Sequence, residues 1–139
     1  MSEKNVRHAL QRCLSEAIEN DPDVFIMGED IGAYGGAYAI TSGFLEKYGP
    51  ERIKDTPISE AGFIGAGIGS AAAGLKPIVE LMSISFSLVG FDQIVNMAAN
   101  IRYMSGGQIN VPMVIRAPTG AGMQSVSYTH LTLPTKRIV

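Results

Sequence analysis

In this chain of 139 residues, the side chains best placed to do chemistry are carboxylates that follow apolar runs. Glu60 stands where a helix begins after Pro57-Ile58-Ser59, and an apolar, glycine-rich segment follows it. Poor solvation there favours the neutral form of a carboxyl group and suits it to share a proton with a ligand nitrogen. The same position can equally be read as an ordinary glutamate favoured by the helix dipole. Glu29, which also follows a short apolar run, is either a second site carboxylate or a solvated loop acid.

Other patterns carry less chemistry. Gly67-x-Gly69-x-x-Ala72 has a dinucleotide-binding register, but no clear strand enters it directly. The acid required about 20 residues on is missing, since Ser87, Leu88 and Val89 stand there. Small residues from Gly65 to Ala73 instead let a helix pack closely. His8 falls on a surface helix and His130 in the C-terminal tail, neither with a companion at metal-ligand spacing, so no metal site is expected. Cys13 lies on the apolar face of the first helix and is expected in the core. Serine-hydrolase order, a nucleophile elbow and a phosphate loop are all missing.

Composition sets the frame. Apolar residues at 46% can bury a core and exclude a disordered chain. A net charge of −2 excludes a basic nucleic-acid surface. The single cysteine excludes an internal disulfide and a cysteine-rich zinc site. The longest uncharged run, Ala61 to Leu75, falls short of the roughly 20 residues of a membrane helix. The expected protein is soluble, not membrane-bound, and located in a reducing compartment.

The elements that must position the carboxylates follow from periodicity. Val6, Leu10, Cys13, Leu14, Ala17 and Ile18 recur at helical spacing, with Asn5 as N-cap and Asn20-Asp21-Pro22 as the stop. Val24 to Met27 reads as a buried strand and Gly32 to Tyr38 as a loop. Thr41 is expected to cap a short helix that Gly49-Pro50 ends. Further strands are expected over 52–56, 77–82 and 112–117. Helices are expected over 60–74 and 88–104, the second with Phe91, Ile94, Val95, Ala98 and Ile101 facing inward. This alternation predicts an α/β fold, a parallel sheet flanked by helices on both faces. Ligands of such sheets sit beyond the carboxyl ends of the strands. The site should therefore draw on Glu29 and Asp30, 57–60, 83–86 and 119–124.

Five motifs occur in order: Gly28-Glu-Asp-Ile-Gly-Ala-Tyr-Gly-Gly36, Asp55-Thr-Pro-Ile-Ser-Glu60, Phe91-Asp-Gln-Ile-Val-Asn96, Tyr103-Met-Ser-Gly-Gly-Gln108 and Val111-Pro-Met-Val-Ile-Arg116. Together they resemble the beta subunits of thiamine-diphosphate-dependent 2-oxo acid dehydrogenases, closest to those acting on pyruvate. The resemblance covers about residues 4–126. It implies a transketolase-like pyrimidine-binding domain of the thiamine-diphosphate fold over 1–126. By resemblance, Glu60 hydrogen-bonds the pyrimidine ring nitrogen and favours its imino tautomer. The exocyclic nitrogen then deprotonates the thiazolium carbon that attacks the 2-oxo acid, with loss of carbon dioxide and acyl transfer to a lipoyl group. Phe86 matches the aromatic near the pyrimidine, and Glu29 matches an acidic position near the cofactor.

The resemblance also implies partners. An alpha subunit would hold the diphosphate and magnesium, and a lipoyl acyltransferase would receive the acyl unit. The working unit would be a heterotetramer in the cytoplasm of a bacterium, and this chain alone would be inactive. Branched-chain 2-oxo acid and acetoin dehydrogenases remain alternatives, as does a non-catalytic fragment acting only in alpha-subunit assembly. Two features depart from the family. Its second, C-terminal domain is not in this sequence, and its active-site histidine has no counterpart by motif, since Gln124-Ser-Val126 runs into Ser127-Tyr-Thr-His130. Residues 127–139 resemble translated adapter sequence and are expected to be a non-native tail on a truncated chain.

Overall fold

The computed structural model describes residues 5–119. The stretch 120–139, with His130 and most of the predicted fourth loop, lies outside the described residues.

Helix α1, Val6–Asn20, begins as its sequence predicts: the Asn5 side chain accepts the His8 amide at 3.0 Å. Strand β1, Val24–Gly28, follows and is buried throughout. The next helix, α2, spans Phe44–Tyr48 and ends at Gly49. Thr41 is not its cap. The Thr41 hydroxyl is buried and donates to the Ile31 carbonyl at 2.7 Å, and Gly43 takes the cap position. The remaining regular elements are β2, Ile53–Asp55; α3, Glu60–Ala72; β3, Lys76–Glu80; α4, Ile101–Met104; and β4, Val114–Arg116.

Among the described residues the strands form one parallel sheet in the order β2-β1-β3-β4. Alternate side chains of a strand point to opposite faces. Ile26, Ile53 and Ile78 therefore meet Leu14, Ile18 and Phe44 on one face. Phe25, Met27 and Val79 meet Phe63, Ile64 and Ile68 of α3 on the other. Each such fully buried side chain stabilises the fold by about 1.5–3 kcal/mol. Helix α3 is buried on this one face, where Gly67 lets it approach: a Cβ there would stand 2.7 Å from the Val79 methyl.

Two predictions fail for packing reasons. Cys13 is exposed, and so are Val6 and Leu10, because only the C-terminal half of the α1 apolar stripe meets the sheet. The helix expected over 88–104 is preceded by a 3₁₀ turn at Ile84–Leu88 and is not a regular α-helix: a π-helical stretch at Gln93–Ala98 leads through Ala99 and Asn100 into α4. Gly90 packs so closely on the start of α3 that a Cβ would overlap Ile64. The chain then widens: the Ala99 amide bonds the Ile94 carbonyl five residues back, and the Asn100 side chain donates to the Val95 carbonyl at 2.9 Å. Ile94 and Ala98 still pack inward, whereas Phe91 and Val95 are exposed.

Candidate functional site

The sheet order reverses direction beside β1: β2 lies on one side of it and β3 on the other. Ligands of open parallel sheets bind at such a switch point, beyond the carboxyl ends. Glu29 leaves β1 there, and Glu60 opens α3 just after the β2 loop. Both predicted carboxylates therefore lie at this end of the sheet, and the Glu60 charge is felt at Glu29.

Both are buried, Glu29 at 5% exposure and Glu60 at 6%. Burial is the main cause that pushes the Glu29 carboxyl above its usual range, with the charges of Glu60 and Asp30 adding to it. Its Oε1 closes no hydrogen bond among the described residues. A buried acceptor left open in this way is free to take a donor from a ligand. Nearby, the Thr56 hydroxyl is also buried and unbonded among the described residues. Such a set, two buried carboxyl groups and a hydroxyl, can exchange hydrogen bonds with a nitrogen heterocycle.

Phe86 stands on the 3₁₀ turn after β3, with its amide bonded to the Ser83 carbonyl at 3.0 Å and its side chain 38% exposed. The chain runs from there to Gly90, which packs against the Glu60 backbone. Phe86 thus belongs to the segment bordering Glu60, with part of its ring open to a ligand or partner.

Two charged residues at the sheet edge were absent from the predicted site. Glu80 ends β3 and pairs with Arg116 of β4 at 3.0 Å, with the carboxylate only 2% exposed. Burial raises the Glu80 carboxyl, while Arg116 and the Ala37 amide act in the opposite sense. The available signal was an acid inside the apolar run Pro77 to Met82. A cleft of about 1000 Å³ opens on this face, walled by Leu10, Tyr34, Tyr38, Ile40, Arg116 and Pro118, and does not include Glu29 or Glu60.

The family model described as "Transketolase, pyrimidine binding domain" matches residues 2–131. The chain is 59% identical over 119 residues to the pyruvate dehydrogenase E1 component subunit beta-1, mitochondrial, of Arabidopsis thaliana, covering 86% of this chain and 33% of that protein. It is 52% identical over 116 residues to the pyruvate dehydrogenase E1 component subunit beta of Rickettsia felis, covering 84% and 36%. The corresponding subunit of Rhizobium meliloti is 48% identical over 121 residues, covering 87% and 26%. The chain thus spans about a third of the length of the curated relatives it matches.

Proposed function

The chain belongs to the transketolase pyrimidine-binding domain family, and from that membership we propose that it is the pyrimidine-holding part of a 2-oxo acid dehydrogenase beta subunit acting on pyruvate. The observation that carries the site is the burial of both Glu29 and Glu60 at the sheet switch point. The residues fit thiamine diphosphate: an open buried acceptor and two carboxyl groups match the ring and exocyclic nitrogens of an aminopyrimidine. When bound, the cofactor supplies the nucleophilic carbon for decarboxylation.

In this reading Glu60 hydrogen-bonds the pyrimidine ring nitrogen and exchanges a proton with it. Its low-dielectric surroundings strengthen that bond. Glu29, whose carboxyl is pushed upward by burial and by the Glu60 charge, offers its open Oε1 to a ligand donor. Phe86 packs its exposed ring edge beside the heterocycle and excludes water. The diphosphate and magnesium belong to an alpha subunit, and the acyl unit passes to a lipoyl acyltransferase. Exposed Leu88, Phe91, Tyr103 and Met104 support a partner-facing surface. A bacterial cytoplasmic location belongs to the same proposal, supported by the Rickettsia and Rhizobium relatives. So does a domain over 1–126 followed by a non-native tail over 127–139, although the family match continues to residue 131.

The test uses a full-length beta chain co-expressed with its alpha partner. Glu60→Gln should leave the assembly intact and lower pyruvate-dependent acyl transfer by about 10²–10⁴-fold. An assembled variant with full activity removes Glu60 from the chemistry. Faster turnover of branched-chain 2-oxo acids or acetoin than of pyruvate would replace the substrate.

A further inference from the structure

Four residues stand side by side across the carboxyl edge of the sheet. Asp55, Gly28, Glu80 and Arg116 are successive register partners on β2, β1, β3 and β4. They lie on the α1 face, whereas Glu29 continues the alternation of Phe25 and Met27 toward α3. Gly28 makes the row possible, since a Cβ there would overlap the Glu80 carbonyl.

The loop leaving β1 passes over this row. Asp30, Tyr38 and Ala39 have positive φ angles of 52°, 58° and 54°, a region that disfavours residues with a Cβ. Such a backbone persists only where its surroundings hold it. Two carboxylates of the row do so. Asp55 accepts the Gly32 amide at 2.6 Å and the Ala33 amide at 3.3 Å. Glu80 lies beneath Gly36, its Oε1 3.2 Å from the place a Cβ would take, and the Ala37 amide stabilises its charge. The carboxylate is set between two neighbours: its Oε2 is 3.0 Å from the Arg116 guanidinium, and its Oε1 lies against the Gly36 backbone of the loop.

We infer that Asp55 and Glu80 form a two-carboxylate clamp that positions the 30–41 loop and, through it, the backbone from which Glu29 enters the site. The loop relays the hold: the Gly36 amide donates to the Asp30 carbonyl at 2.9 Å, and the Thr41 hydroxyl donates to the Ile31 carbonyl at 2.7 Å. Both acids are positioning residues. Only the consequence for Glu29 rests on the function proposed above.

Hydrogen exchange of the full chain tests the clamp in Asp55→Asn, Glu80→Gln and the double variant Glu80→Gln/Arg116→Gln. Removing one member of a buried pair leaves the other charge uncompensated, whereas removing both relieves it. The double variant therefore separates charge balance from loop holding. Relative to the core amides of Met27 and Val79, Gly32 and Ala33 should exchange at least about tenfold faster in Asp55→Asn. Gly36, Ala39 and Thr41 should do so in both Glu80 variants. If Glu80→Gln fails to fold, the double variant carries the same comparison. Loop protection that stays tied to the core amides in the double variant overturns the clamp, because Glu80 would then serve Arg116 alone. Thiamine diphosphate binding by the alpha–beta complex is read in parallel and should weaken at least about fivefold in the double variant. Unchanged binding with a loosened loop overturns the link to Glu29. A wild-type complex that binds no cofactor overturns the cofactor reading and leaves the exchange result standing.

Discussion

The Glu29 carboxyl, buried where β1 ends, lies within reach of the charge of Glu60 in the first turn of α3, and its Oε1 has no hydrogen-bond partner among the described residues. The two acids come from different strand ends, and burial keeps water from screening one from the other. The charge of Glu60 thus opposes ionisation of Glu29.

The pH dependence of stability follows from that pair. Burial, then Glu60, then Asp30 raise the Glu29 carboxyl, so the folded chain holds this proton more tightly than the unfolded chain. The stabilisation is complete below the ordinary glutamate range and is lost as pH rises through the folded value. Glu29→Gln, which cannot ionise, should gain stability relative to wild type as pH increases from 4 to 8 on a scale of about 4.3 for a free glutamate. Thermal melts of both chains across that range check it. A difference that shrinks as pH rises would reverse the sign assigned to Glu29.

Glycines on α3 should respond oppositely to an added side chain. A Cβ on Gly67 would meet the Val79 methyl at 2.7 Å and Met113 at 3.4 Å, whereas Gly69 has nothing within 4 Å. Gly67→Val should cost about 1–3 kcal/mol through overpacking. Gly69→Ala should stabilise by about 0.5–1 kcal/mol through helix propensity alone. Urea midpoints measure both, and equal effects at the two sites would show that α3 does not pack as described.

Cys13 offers a test of the uncovered half of α1. Its side chain is exposed, although the helix periodicity places it on the apolar face. A thiol-reactive chromogen should therefore titrate one cysteine in the native chain without denaturant, at a rate close to that of the unfolded chain. Protection that disappears only on unfolding would mean that this face is covered.

Periodicity carried much of the fold, and its failures share a cause. It shows which face of α1 is apolar but not how far the neighbouring sheet extends, so Leu14 and Ile18 are buried while Val6 and Leu10 are not. It shows that 88–104 is helical in character but not the close approach of Gly90 to Ile64 or the wider turns at Gln93–Ala98. The positions of Glu29 and Glu60 were legible because the strands that precede them were, and strand ends are where open sheets place ligands. Glu80 was not, because its meaning depends on register: only pairing sets it between Gly28 and Arg116 and beneath the loop after β1.

Arg52 shows how one side chain fixes the entry to β1. Its Nε donates to the Val24 carbonyl at 2.6 Å, and its Nη2 donates to the carbonyls of Ile18 and Asp21 at 2.8 and 2.7 Å. These are the last carbonyls of α1 and the first of the strand, which have no partner within a helix. A planar guanidinium can serve all three at once, and a lysine ammonium lacks that fork. Arg52→Lys should therefore lose about 1.5–3 kcal/mol, since hydrogen bonds to a charged donor are worth about 1.5–3 kcal/mol each and lysine keeps two of the three. Arg52→Ala should lose more and speed exchange at the Val24 and Ile26 amides, which bond the Asp21 and Arg52 carbonyls. Chemical denaturation of the two variants decides the point: if lysine proves as stable as arginine, the fork is not what joins α1 to the sheet.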